Sequence, residues 1–229
     1  MRVCIVVPAL DARDTVGQVI EEVRSACGVV TIVVDDGSSD GTDSVAREHG
    51  AVVLRHSRNR GKGAAIVTGL LEAARAGFDC AVTVDADGQH PAISAHAVLT
   101  APAAPHALVL GVRDLVGDGA PNSNRFGNLV SNVFLSGFSG RRLEDTQCGL
   151  RRYPVTDTLA LGTRARGFAF EAEVILRAVA AGVPVVEIPV VSTYPKGAGV
   201  RTHFRYSRDP AAIVATVVRT VIETRLRIR

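Results

Sequence analysis

Short unbroken apolar runs recur along this chain with amphipathic stretches between them, and that alternation restricts its fold more than any other feature. Val3-Cys4-Ile5-Val6-Val7, Val29 to Val34, Ala51 to Leu54, Ala81 to Val84 and Leu108-Val109-Leu110-Gly111-Val112 read as buried strands. After the first of them, Val16, Val19, Ile20 and Val23 fall at i, i+3, i+4 and i+7, with Thr15 and Gln18 in capping-box spacing, so a helix follows. A short helix near Ser44 to His49 and a longer one from Ala64 to Ala76 fill the next gaps. The pattern predicts an α/β fold with a mainly parallel central sheet flanked by helices. Beyond Leu108 the order loosens: a helix near Arg125 to Phe138, a strand around Gly149 to Tyr153, a helix from Phe170 to Ala181 and a strand from Val185 to Val191. Ala101-Pro102-Ala103-Ala104-Pro105 marks a loop between two halves. A chain of 229 residues can bury roughly 70% of its unfolded surface as one unit, so a single domain is expected. Its parts are residues 1–112, residues 113–206 and a C-terminal basic amphipathic helix over 207–229.

Composition excludes several classes. Lys plus Arg number 26 against 23 Asp plus Glu, and a formal charge of +3 is too mild for a general nucleic-acid binder. With 4% aromatic residues and no Trp, base-stacking platforms are excluded as well. Cys4, Cys27, Cys80 and Cys148 lie far apart without Cys-x-x-Cys or Cys/His spacing, which argues against a zinc site or disulfide scaffold and for a reducing cytosol. The N-terminus runs directly into a strand with no export signal, and no apolar run approaches the ~18 residues of a membrane span. The expectation is a cytoplasmic protein, soluble or peripheral at the inner face of the cell membrane.

Acidic residues gather where strands end. Asp85-Ala86-Asp87-Gly88-Gln89-His90 follows Ala81-Val82-Thr83-Val84, and Asp35-Asp36-Gly37-Ser38-Ser39-Asp40-Gly41-Thr42 closes an earlier run. Such pairs place hard oxygen ligands at the carboxyl edge of a sheet, where open α/β sheets bind ligands, although a helix cap or turn uses the same residues. The first strand-to-helix turn, Pro8 to Asp14, has no glycine, which rules out a Rossmann dinucleotide fingerprint. Gly61-Lys62-Gly63 lacks the Walker ending and spacing. The segment still bears glycine and Lys62 just ahead of a helix, and either cradles an anion or is an ordinary solvated loop.

Val6-Val7-Pro8-Ala9-Leu10-Asp11, the Asp35-Asp36 cluster, Asn59-Arg60-Gly61-Lys62-Gly63 and Asp85-Ala86-Asp87-Gly88-Gln89-His90-Pro91 occur in an order that resembles the family 2 inverting glycosyltransferases of the GT-A fold. The likeness is greatest to the branch containing dolichol- and polyprenyl-phosphate sugar synthases. It continues through Gly111-Val112-Arg113, Glu144-Asp145-Thr146-Gln147-Cys148-Gly149-Leu150-Arg151 and Phe168-Ala169-Phe170-Glu171-Ala172-Glu173, covering about residues 3 to 206. The resemblance implies that residues 1–112 bind the nucleotide of a nucleoside-diphosphate sugar and residues 113–206 the acceptor. Pro8, Leu10, Asp11, Asp36, Lys62, Asp85 and Ala86 would then line the nucleotide site. Leu10-Asp11 stands where the family usually has Asn-Glu, so the polar contact there differs in kind. Asp87 and Gln89 would bind Mg2+ or Mn2+ bridging the two phosphates, while His90, ahead of Pro91, is read as a turn residue or one supporting that site.

The acceptor decides whether a base is needed. A hydroxyl must lose a proton as it attacks, whereas a polyprenyl phosphate is already anionic and needs positive charge to hold it in line. Arg113, Arg125, Arg201 and Arg205 could supply that charge or merely pair with surface carboxylates. Asp145 is the candidate base, and Gln147 beside it belongs to the same acceptor-side stretch. Processive polymer synthases carry Gln-x-x-Arg-Trp, and this chain has no Trp. The expected reaction transfers a hexose from a donor of the GDP-mannose or UDP-glucose type to polyprenyl phosphate, with a sugar or small-metabolite hydroxyl as the alternative acceptor. A non-catalytic nucleotide-sugar-binding protein is a further choice, as is a nucleotidyltransferase, whose usual glycine- and arginine-rich N-terminal loop is missing here. At the C-terminus, Ile213, Val214, Val217, Val218, Val221 and Ile222 form an apolar face beside Arg219, Arg225, Arg227 and Arg229. It suits an anionic membrane surface, a core contact or a homodimer seam.

Overall fold

The apolar runs assemble into one seven-stranded sheet. In the computed structural model, which describes residues 1–194 and 209–227, the strands are β1 (Val3–Ala9), β2 (Thr31–Asp35), β3 (Val52–Arg55), β4 (Cys80–Thr83), β5 (Leu108–Arg113), β6 (Arg151–Pro154) and β7 (Val185–Val190). Their spatial order is β3-β2-β1-β4-β6-β5-β7. All neighbours pair in parallel except β6, which runs antiparallel to both β4 and β5. The helices are α1 (Arg13–Cys27), α2 (Thr42–Glu48), α3 (Lys62–Arg75), α4 (Ala92–Thr100), α5 (Asn122–Ser139), α6 (Val155–Ala160), α7 (Ala169–Ala180) and α8 (Asp209–Arg227).

Alternate residues of β1 serve two apolar layers, as the strand's two-residue period requires. Ile5 and Val7 meet α1 through Val16, Val19, Ile20 and Val23, with α4 adding Ala95 and Val98. Cys4 and Val6 face Ile66 and Leu70 of α3, in a layer that continues through Phe170 and Val174 of α7 to Val217 and Val221 of α8. Both faces being covered explains why these strands read as continuous apolar runs.

The antiparallel strand has a different composition. Arg151 and Arg152 are both buried in β6. Arg151 donates to the carbonyls of Cys148, Thr146 and Glu171, each at 2.8 Å. Arg152 donates to Leu99, Ala101 and Ala103, so the proline-rich loop between the halves is fastened from inside the sheet. Because β6 starts where β4 and β5 end, the segment before it reaches the same sheet edge as the loops after β1, β2, β4 and β5.

Three expectations change in detail. α1 starts at Arg13 with Ala12 as N-cap and no side-chain cap, so Thr15 is not half of a capping box. Its hydroxyl instead donates to the Ala86 carbonyl at 2.6 Å, tying α1 to the Asp85–Asp87 turn. α4 and α6 occupy stretches for which no helix was predicted. The C-terminal helix forms, but Val217 and Val221 are spent on the core and only Val214, Val218 and Ile222 of its apolar face are exposed. The four cysteines are free thiols.

Candidate active site

The loops at the carboxyl edge build two adjoining clusters. In the first, Asp35 accepts from the Ser38 N–H at 2.9 Å, holding the turn after β2. Asp36 is buried, and its Oδ1 meets His56 Nδ1 at 2.6 Å and the Arg60 N–H at 2.9 Å. Its Oδ2 accepts the Gly61 N–H at 2.7 Å, so three of a carboxylate's roughly four acceptor positions are taken. Asp36 thereby fastens the approach to α3. His56 is held in turn by Thr68, 3.0 Å from its other ring nitrogen. Asp11 has a φ of +44°. That left-handed conformation, costly for a residue with a Cβ, is fixed by Ser38 accepting its N–H at 2.9 Å and by its own Oδ1 accepting the Ser39 N–H at 2.9 Å. Pro8 and Leu10 are half-buried on the same rim.

At the centre, Lys62 Nζ lies 2.7 Å from Asp85 and 3.1 Å from Glu171. Burial by itself would lower the ammonium's pKa, but the two carboxylates outweigh it and hold the pKa above its ordinary value. For Asp85 burial opposes ionisation, and Lys62, with His90 and Arg113, still keeps the carboxyl below the usual range. The pair leaves no room behind it: a Cβ on Gly149 would sit 2.5 Å from Asp85 Oδ2 and 2.7 Å from Lys62 Nζ. Lys62 and Asp85, both assigned to the nucleotide site by resemblance, pair with each other, and the charge of Lys62 is already matched.

Asp87, two residues on, has no such partner. Its Oδ1 accepts only the Gln89 N–H, at 2.9 Å, and desolvation together with the charge of Asp85 pushes its carboxyl up to about 6. A carboxylate left beside another without a matching cation is a site that gains from a divalent ion. Among the described residues no group of three His, Cys, Asp or Glu could enclose one. Asp87 and Gln89 are hard oxygen donors and too few to complete a coordination sphere. That set fits Mg2+ or Mn2+, which commonly takes its remaining ligands from substrate phosphates and water. His90 is buried, its Nδ1 has no partner, and burial pushes its imidazole down to about 4, so it is neutral at ordinary pH.

The second cluster is organised by Asp145, which is 1% exposed. Arg113 grips it bidentately, Nε to Oδ2 at 2.7 Å and Nη2 to Oδ1 at 3.0 Å, and adds its own backbone N–H at 3.2 Å. The N–H groups of Gln147 and Cys148 complete the set at 3.1 Å each. Five donors leave Asp145 without a lone pair facing outward. Arg113 Nη1 donates to the Tyr194 hydroxyl at 3.2 Å, so the guanidinium is held on two sides. Burial would lower the Arg113 pKa, but Asp145 raises it above the ordinary value. Gln147 is exposed and donates to the Gly127 carbonyl at 3.3 Å, at the start of α5. Arg125, half-buried on that helix, has no partner for its Nε. Arg201 and Arg205 lie outside the described residues.

A family model described as "Glycosyl transferase family 2" matches residues 4–155. The chain belongs to that family. This family 2 glycosyltransferase is 30% identical over 206 residues to a polyprenol monophosphomannose synthase of Mycolicibacterium smegmatis, covering 84% of the chain and 77% of that relative. It is 28% identical to an undecaprenyl-phosphate mannosyltransferase of Micrococcus luteus, over 83% of each chain. The glucosyl-3-phosphoglycerate synthase of Mycobacterium tuberculosis, solved with Mn2+, UDP and phosphoglyceric acid, shares the fold. Its TM-score is 0.71 at 20% identity, covering 97% of this chain and 78% of that one.

Several residues of the glycosyltransferase's site carried no assigned role in the sequence. Glu171 was visible only as part of an acidic motif. On α7, Glu171 and Glu173 point apart: the first reaches Lys62, while the second accepts the N–H groups of Arg164 and Ala165 and pairs with Arg177. His56, just beyond β3, and Tyr194, beyond β7, come to the site only through the fold.

Proposed function

We propose that this glycosyltransferase moves a hexose from a nucleoside diphosphate to a polyprenyl phosphate, with inversion at the anomeric carbon. The observation that carries the choice of acceptor is the saturation of Asp145 beside Arg113. Transfer to a hydroxyl wants a carboxylate free to take a proton. Asp145 has five donors on it, and Asp85 and Glu171 are matched by Lys62. A phosphate nucleophile wants fixed positive charge instead. Arg125, with its unpartnered Nε, provides it, and Arg113, whose charge Asp145 matches, adds guanidinium N–H donors that Asp145 and Tyr194 hold in place. In this reading Asp145 positions Arg113 and does not act as a base. The named relatives of Mycolicibacterium and Micrococcus support the same acceptor class.

The nucleoside would lie along Pro8, Leu10, Asp11 and Ala86, in a rim whose shape Asp36 sets by fastening residues 56–61. Asp87 and Gln89 would hold Mg2+ or Mn2+, and a divalent ion there would neutralise the departing diphosphate as a Lewis acid. Arg113 and Arg125 hold the acceptor so that one phosphate oxygen forms the bond to the anomeric carbon. The bond from that carbon to the diphosphate breaks, and the leaving nucleotide keeps the electron pair. No proton has to leave the attacking oxygen. Gln147, Arg201 and Arg205 complete the acceptor side of the proposal.

The test is a transfer assay with GDP-mannose and UDP-glucose against purified polyprenyl phosphate and sugar or phosphoglycerate hydroxyls, using wild type, Arg113→Ala and Arg125→Ala. Each arginine variant should lose about 10²-fold or more in transfer while binding the donor nucleotide as wild type does. Robust transfer to a hydroxyl with none to polyprenyl phosphate would remove the acceptor assignment.

A further inference from the structure

Gly61 and Gly63 flank Lys62, and the fold shows what their missing side chains make room for. A Cβ on Gly61 would lie 2.6 Å from the Arg166 carbonyl oxygen, and one on Gly63 would lie 2.4 Å from Phe170 Cβ and 2.9 Å from the Gly167 oxygen. The Ala64 N–H donates to the same Arg166 carbonyl at 2.8 Å, so an orphan donor in the first turn of α3 is taken by the chain itself. Where the sequence allowed an anion cradle or a solvated loop, these two glycines serve a third purpose. They are a seat for the backbone of residues 164–168.

This strap joins α6 to α7, and residues 162–166 have no regular secondary structure of their own. Its latch is Glu173 on α7, which is 0% exposed. Oε2 accepts the Arg164 N–H at 2.9 Å and the Ala165 N–H at 2.7 Å, while Oε1 accepts Arg177 Nε at 2.8 Å. The Arg164 side chain reaches Glu223 of α8 at 3.0 Å, and Arg177 reaches the same carboxylate. Burying a carboxylate is costly, and apolar side chains would join two helices at less expense. What an apolar residue could not do is accept the two strap N–H groups.

We infer that Glu173 is a positioning residue for the donor site: by latching the strap onto Gly61 and Gly63 it fixes the first turn of α3, and with it the direction of Lys62. The inference rests on the reading that places Lys62 in the nucleotide site. Lys62 Nζ is surrounded by Asp85 at 2.7 Å, Glu171 at 3.1 Å and the Phe168 ring, whose centre is 5.9 Å away. Phe168 and Glu171 stand where the strap enters α7. A strap that lifts therefore disturbs two of the three groups around the ammonium as well as the turn that carries it.

Calorimetric titration with GDP and with UDP, each in the presence of Mn2+, tests this on the full chain. Glu173→Ala should weaken nucleotide binding about tenfold or more, the scale of one charge-assisted contact set out of line, with the KM for the acceptor unchanged. Glu173→Gln should recover most of that affinity, because its amide oxygen still accepts the two strap N–H groups even though the pairing with Arg177 is lost. Gly63→Ala alters no charge and presses on the strap from the other side, so it should weaken binding similarly and keeps the inference open to refutation if Glu173→Ala does not fold. In a Lys62→Met background both losses should disappear, since Glu173 and Gly63 act through that side chain. A Glu173 that only stabilised the fold would lower the melting temperature and leave the affinity of the folded protein alone. Wild-type affinity in folded Glu173→Ala or Gly63→Ala, losses that simply add to that of Lys62→Met, or a Gln variant no better than Ala each overturn the inference. If Lys62→Met itself binds nucleotide as wild type does, the placement of Lys62 fails and takes the inference with it. If Lys62→Met is weakened while Glu173→Ala and Gly63→Ala are not, that placement stands and the inference alone falls.

Discussion

In the proposed reading, the donor and acceptor sides of the site use opposite electrostatic designs. On the donor side a cation is buried to quiet carboxylates: Lys62 answers Asp85 and Glu171, and the one acid left over, Asp87, stands where a divalent ion would meet a diphosphate. On the acceptor side a carboxylate is buried to steady a cation: Asp145, ringed by five donors, presents Arg113 in one orientation. The difference teaches how to read an acid in such a site. An Asp is a ligand or base only where its lone pairs are left unspent, and sequence position alone does not tell Asp87 from Asp145.

The strongest way to break this contrast is to remove each acid in turn. Asp87→Ala should lower turnover by about 10³-fold or more, since several kcal/mol of leaving-group stabilisation would go with the cation. The fold should survive, because the side chain belongs to neither apolar core layer. A purified, folded variant with wild-type turnover would show that Asp87 holds nothing the reaction needs.

Asp145→Asn should cost less, about tenfold in transfer, felt mainly as a higher KM for the acceptor. Its amide keeps the shape but points two donors toward a guanidinium and backbone N–H groups, so Arg113 loosens without disappearing. The pH–rate profile should keep its form, because no proton passes through this residue. Were Asp145 a base, the loss would instead fall on kcat, and the ascending limb of the profile would vanish.

How far the sequence foretold this molecule follows the same division. The parallel strands were legible because both their faces are apolar, and the strand-end acids stood out because they follow those runs directly. β6 was legible as a strand but not as an antiparallel one, since Arg151 and Arg152 look like surface residues until six carbonyls are seen to receive them. α4 escaped because Ala92–Thr100 is apolar nearly all round and shows little periodicity. α5 was recognised as a helix, but its periodicity could not say which side is buried. Ser131 and Asn132 win the inner face by bonding Thr146 beside Asp145. Asp145 was picked out as an acceptor-side acid, while its five donors come from residues 113, 147 and 148, and no local pattern reveals them.

The subtlest expected effect separates the two acids by pH. An Asp raised to about 6 in the folded chain, from about 3.9 when unfolded, holds its proton more tightly folded. Its contribution to stability is therefore full below about pH 4 and is lost as pH rises through about 6. His90 acts in the other direction: held down to about 4 by burial, it weakens the fold as pH falls below its unfolded value of about 6.5. Subtracting the melting curve of Asp87→Asn, in which His90 is unchanged, isolates the carboxylate. Metal-free wild type should lose about 1 to 3 °C relative to that variant between pH 4.5 and pH 7, numbers set by the ordinary relation of small free energies to Tm. A divalent ion competes with that same proton, so stabilisation by Mn2+ with nucleotide should be larger at pH 7.5 than at pH 5 and absent in the variant. Equal Mn2+ stabilisation at both pH values, or its persistence in Asp87→Asn, would move the cation away from Asp87 and erase the contrast between the two sides of the site.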